Sequence, residues 1–65
     1  MSSLGEALPE LIVEVKEILR EYESIPEGAF GAVLIKESLR KAEEANRLQD
    51  VELMMIAYQD LEGIE

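Results

Sequence analysis

The sequence predicts a small all-α protein, either a three-helix bundle or a helical hairpin with an added N-terminal helix. Apolar residues recur at helical spacing in three successive stretches, and no stretch alternates apolar and polar residues as a strand does. Helix-start and turn residues separate these stretches, first at Ser24 to Pro26 and again at Asn46 to Asp50. The predicted helices cover about residues 8–23, 26–46 and 50–62, within a single domain, 1–65.

The first predicted helix begins near Leu8, because Pro9 then lies in the first turn, where its missing N–H costs nothing. A capping box from Ser3 to Glu6 offers an earlier start. That start would place Pro9 inside the helix, where proline removes a backbone hydrogen bond. The apolar residues form one stripe and predict one buried face. They are Leu11, Ile12, Val15, Ile18, Leu19 and Tyr22.

The second predicted helix is the one against which the others are expected to pack. Ser24 or Ile25 serves as its cap, with Pro26 in the first turn. Its apolar and small residues cover well over half of the circumference, whereas one neighbouring helix covers a stripe of roughly 100°. This helix therefore requires two or more neighbours. Gly28 and Gly31 each cost about 1 kcal/mol relative to Ala, which favours either close approach of another helix or a loose first turn.

The third predicted helix begins after Asp50, a strong N-cap residue, and ends before Gly63. Asn46 tolerates the left-handed conformation that ends many helices. The connection over 46–50 is short, so the second and third helices are expected to form an antiparallel hairpin.

The apolar residues of the second and third helices exceed what two neighbours within one chain are expected to bury. Leu53 borders the apolar face of the third helix, and Ile56 lies nearly opposite it. This surplus predicts a homodimer or a complex with another protein. The candidate interface residues are Phe30, Val33, Leu34, Leu53, Ile56 and Tyr58.

The net charge of −9 is unevenly distributed. Residues 1–23 hold six acids and two bases, residues 24–49 hold four of each, and residues 50–65 hold five acids and no base. Nucleic acid and anionic membranes are poor partners for such a surface, and a basic protein surface is a better one. A candidate acidic stripe runs along the first helix. It consists of Glu10, Glu14, Glu17 and Glu21.

Two side chains that often serve as catalytic bases, nucleophiles or zinc ligands are missing from the sequence. There is no His and no Cys, so we expect no disulfide, no structural zinc site, no cofactor and no catalytic residues. The N-terminus lacks the features of a signal peptide. The longest uncharged run, from Gly28 to Ile35, is far shorter than the roughly 20 residues of a membrane span. We therefore expect a cytoplasmic, non-enzymatic protein.

Two segments resemble short acidic helical proteins encoded by bacteriophages and prophages. They run from Ile25 to Ala32, and from Ala42 to Ala45 followed by Asp50. This resemblance implies a non-catalytic modulator that binds a host or phage protein, and it assigns no functional residue.

Three hypotheses for the function follow from the sequence. The first is a protein–protein interaction module, acting as an inhibitor or adaptor and as a homo-oligomer. The second is a DNA mimic, whose line of carboxylates imitates phosphates toward a DNA-binding protein. The third is a structural subunit of a larger, phage-like assembly.

Overall fold

A computed structural model describes residues 3–64 and shows three α-helices. They are α1 (Leu4–Glu23), α2 (Ala29–Leu48) and α3 (Val51–Glu62), with a short 3-10 turn at Pro26–Gly28 before α2. Each helix contacts both others, and residues 3–64 contain no strand. The predicted all-α class is therefore confirmed. In this structure α1 folds back onto the hairpin of its own chain.

Helix α1 begins at Leu4, four residues before the predicted start near Leu8. The N–H groups of Glu6 and Ala7 donate to the Ser3 carbonyl at 3.0 and 2.8 Å, and Pro9 lies inside the helix. Helical continuation places Leu4 on the same face as Leu8, four residues on. Leu8 is fully buried and Leu4 packs against the core. Their burial offsets the backbone hydrogen bond that Pro9 removes.

The connection between α1 and α2 explains the two glycines of this region. Ile25 is extended (φ −118°, ψ 127°), the conformation that a following proline favours. A Cβ at Gly28 would collide with the backbone carbonyl of Tyr22, and a Cβ at Gly31 would lie 2.8 Å from the Tyr22 ring. The glycines therefore permit close approach between the end of α1 and the start of α2.

Helices α2 and α3 form the predicted hairpin, with one difference at the turn. Helix α2 continues through Asn46 to Leu48, and Gln49 adopts the left-handed conformation (φ 55°). The Asp50 side chain accepts from the Leu53 N–H at 3.2 Å, so its predicted capping of α3 is confirmed. Gly63 follows the last residue of α3 as predicted, although its φ of −78° is open to any residue.

The core lies where the three helices meet, and within residues 3–64 it contains no buried polar side chain. Alanines are prominent on the buried face of α2, and they allow the neighbouring helices to approach closely. Val13 of α1 is exposed, as its position off the apolar stripe predicts. The core cluster consists of Leu8, Ile12, Val15, Ile35, Leu39, Ala42, Ala45, Met54, Ala57 and Leu61.

We predict that Gly28→Ala lowers the free energy of unfolding by about 1–3 kcal/mol, because the added methyl group meets backbone atoms that cannot rotate away. Gly5→Ala is the matched control. The nearest heavy atom to its added Cβ is the Ser3 Oγ at 3.7 Å, so better helix propensity should raise stability by about 0.5 kcal/mol. Urea denaturation followed by circular dichroism measures both. Equal effects of the two substitutions would contradict the close approach at Gly28.

Candidate protein-interaction surface

The side of α2 opposite its buried residues exposes three large apolar side chains in its first half. Phe30 is 75% exposed, Val33 62% and Leu34 55%. They lie within one turn of each other on the same side of the helix. Nearer the other end of α2, Leu48 is also exposed. We call these four residues, with Glu37, Lys41 and Glu44 between them, the outer face of α2.

An open groove of about 520 Å³ lies between α2 and α3. Ala45 and Ala57 line it together with Leu53 and Ile56, which are 43% and 63% exposed, and Lys41 of the outer face also borders it. The two larger α3 residues, Leu53 and Ile56, remain accessible along this groove. We call this the α2–α3 groove.

The structure divides the predicted interface residues into three sets. Phe30, Val33 and Leu34 lie on the outer face of α2, and Leu53 and Ile56 lie in the α2–α3 groove. Tyr58 instead is half-buried and packs against the core. The exposure of Leu48 was not anticipated, because the second helix was expected to end at residue 46. Its spacing of fourteen residues from Leu34, four helical turns, is the signal that places the two on one side.

The four glutamates of the acidic stripe are all exposed along α1. None of them belongs to an ion pair within residues 3–64. Lys16, which the sequence places beside the stripe, instead points toward α2, and its Nζ lies 3.7 Å from a carboxylate oxygen of Glu43. The ion pair of that lysine is therefore with α2 and not with a glutamate of the stripe.

A second groove, of about 800 Å³, separates α1 from α2 and collects most of the basic side chains. Three acids, Glu23, Glu43 and Glu44, share it and neutralise part of the charge. Lys36 lies 3.0 Å from Glu23, which links α2 to the end of α1. We call this the basic groove, and sequence reasoning missed it. Its bases are Lys16, Arg20, Lys36, Arg40 and Arg47.

Two ion pairs within α2 perturb carboxylate pKa values. Arg40 donates to both carboxylate oxygens of Glu37 at 3.1 and 2.8 Å, and this hydrogen bonding lowers the pKa of Glu37. Arg47 binds Glu44 in the same bidentate way at 3.1 and 2.6 Å and lowers its pKa likewise. All four groups are on the surface, so these pairs orient side chains more than they stabilise the fold.

Residues 3–64 contain no group of three or more side chains placed to hold a metal ion. No helix in the same range has the length and apolar character needed to cross a bilayer. Comparisons of this chain with protein-family models, curated proteins and solved structures find no match.

We predict that Glu14→Gln stabilises the protein by about 0.5 kcal/mol. The substitution removes like-charge interactions with Glu10, four residues before, and Glu17, three residues after, and each costs about 0.2–0.5 kcal/mol. Thermal unfolding at low ionic strength measures the gain, which added salt should reduce. A loss of stability would show that Glu14 makes a favourable contact.

Glu37→Gln is the matched substitution in α2, and we predict the opposite sign at neutral pH. It removes the bidentate pair with Arg40. Because the pKa of Glu37 is lowered in the folded protein, the stabilisation from this pair is present above the unfolded-state pKa. It is lost as pH falls through the folded-state pKa. The stability difference between wild type and variant should therefore vanish in acid, and a difference that persists there would contradict this origin.

Proposed function

We propose that this chain is a non-enzymatic protein–protein interaction module that acts as a homo-oligomer, with an inhibitory or adaptor role toward a partner. The observation that carries the proposal is the exposure of Phe30, Val33, Leu34, Leu53 and Ile56. Single exposed apolar residues are common on protein surfaces, whereas grouped ones mark sites of interaction. Here they are grouped on the outer face of α2 and in the adjoining α2–α3 groove.

The size of the chain supports self-association. A domain of about 60 residues buries only about 60% of its unfolded surface and is marginally stable alone. Without disulfides, oligomerisation is a common remedy for a small core. A second copy that covers Phe30 and Ile56 removes apolar surface from water and adds stability by mass action.

We predict that the protein is a homodimer at tens of micromolar by size-exclusion chromatography with light scattering. Phe30→Ser and Ile56→Ser should each raise the dimer dissociation constant at least tenfold, since each removes about 1.5–3 kcal/mol of potential apolar burial. Val13→Ser is the control, because Val13 is similarly exposed, at 59%, but lies on α1. A monomeric wild-type protein, or equal effects of all three substitutions, would contradict homo-oligomerisation through this surface.

An acidic DNA mimic is the second candidate, and the unpaired glutamates of α1 favour it. The four carboxylates of the acidic stripe recur at three- or four-residue intervals, about 5 Å along the helix axis. A regular line of negative charge of this kind imitates a phosphate backbone and can bind the positively charged surface of a DNA-binding protein.

The DNA mimic predicts that a partner co-purified from the native host binds with an affinity that falls steeply as salt rises. Glu10→Gln with Glu17→Gln should weaken that binding, whereas Phe30→Ser should leave it unchanged. Salt-insensitive binding that Phe30→Ser abolishes would instead support the apolar surface. Recovery of the chain within a large particle would support the third hypothesis, a structural subunit.

A further inference from the structure

The outer face of α2 has a regular order that its apolar content alone does not explain. Six of its seven members, all except Val33, are separated by four, three, four, three and four residues, which is the a/d spacing of a coiled-coil seam. Apolar residues occupy both ends of this seam, and charged residues occupy its centre. The seam consists of Phe30, Leu34, Glu37, Lys41, Glu44 and Leu48.

The α2–α3 groove adds exposed apolar side chains beside the second half of α2. Leu53 and Ile56 line the α2–α3 groove beside Lys41 and Glu44. One apolar cluster (Phe30, Val33 and Leu34) thus lies near the start of α2, and a second (Leu48, Leu53 and Ile56) lies toward its end. Phe30 and Leu48 are about 27 Å apart along the axis of α2.

We infer that two copies of this chain pair through the outer faces of their α2 helices in antiparallel orientation, about a two-fold axis near residue 39. This inference rests on the proposed function and names its geometry. The first apolar cluster of each copy then covers the second cluster of the other. Because a two-fold interface is isologous, the same contact forms twice.

Charge complementarity selects the antiparallel orientation. It sets Glu37 opposite Lys41 of the second copy, and the same pair recurs across the axis. Lys41 belongs to no ion pair among residues 3–64, so its ammonium group is available for this contact. A parallel arrangement would instead set Glu37 against Glu37 and Lys41 against Lys41, and like charges in register oppose pairing.

The flanking charges are compatible with this arrangement. Antiparallel alignment sets Leu34 opposite Glu44 of the second copy, and this mixed layer occurs twice, once on each side of the axis. Arg47 binds the Glu44 carboxylate, and both residues line the basic groove on the α1 side. Glu44 is thus held toward the edge of the interface, and its methylene groups remain to contact Leu34.

Charge exchange tests the pairing. Glu37→Lys and Lys41→Glu should each raise the dimer dissociation constant roughly tenfold in sedimentation equilibrium, because each variant replaces two attractive pairs with two repulsive ones. An equimolar mixture of the two variants should dimerise about as tightly as wild type, since every charged layer is then opposite in sign. Circular dichroism checks that each variant is folded.

Spin labels then test the orientation, since the chain has no native cysteine. Glu27→Cys labels the 3-10 turn just before α2, and Lys36→Cys labels a point near the centre of α2. Antiparallel pairing predicts separations along the axis of about 36 Å between the two labels at 27 and about 9 Å between those at 36. Parallel pairing predicts short distances at both positions.

The outcomes separate this inference from the proposed function. Weakening by both single variants, recovery in the mixture and a long distance at residue 27 support it. The antiparallel geometry is overturned, and homo-oligomerisation stays in place, if Phe30→Ser disrupts a dimer whose dissociation constant the charge variants do not change, or whose labels at residue 27 are a short distance apart. A wild-type monomer overturns both the geometry and the homo-oligomer.

Discussion

The burial of one face of α2 between α1 and α3 is the constraint on which the rest of this structure depends. Ala32, Ala42 and Ala45 allow the two neighbours to approach closely, while Ile35 and Leu39 fill the centre of the core. In this three-helix arrangement α1 and α3 cover only one side of α2. Apolar residues on its other side, Phe30 above all, must therefore remain in contact with water unless another molecule covers them.

The same packing fixes the corner where α1 meets α2. Tyr22 lies over the start of α2, and the side chains that would obstruct it are absent at Gly28 and Gly31. Ile25 has an extended backbone, and Pro26 begins the 3-10 turn that leads into α2. The cost of two glycines near a helix start is offset by contact between the ends of the helices, so the local sequence and the tertiary packing agree.

Local patterns in the sequence predicted most of the fold. The apolar stripe of α1, the cap at Asp50 and the hairpin of α2 and α3 each depend on residues close together in the chain. The start of α1 required tertiary information, because burial of Leu4 and Leu8 outweighs the preference of Pro9 for a first turn. The basic groove also required it, since Lys16 and Glu43 become neighbours only when α1 docks on α2. Tyr58 packs against the core cluster, to which all three helices contribute, so its placement also required tertiary information.

The separation of the basic groove from the acidic stripe has a consequence at distances beyond direct contact. Five of the six basic side chains border one groove, whereas the stripe on α1 carries negative charge without an ion pair within residues 3–64. Such a charge distribution gives the molecule a permanent electric dipole moment. In the field of another charged macromolecule it experiences a torque before the surfaces touch, over roughly the 8 Å Debye length at physiological ionic strength. Encounters are thus pre-oriented, and the fraction of encounters in which the binding surface faces the other macromolecule depends on ionic strength.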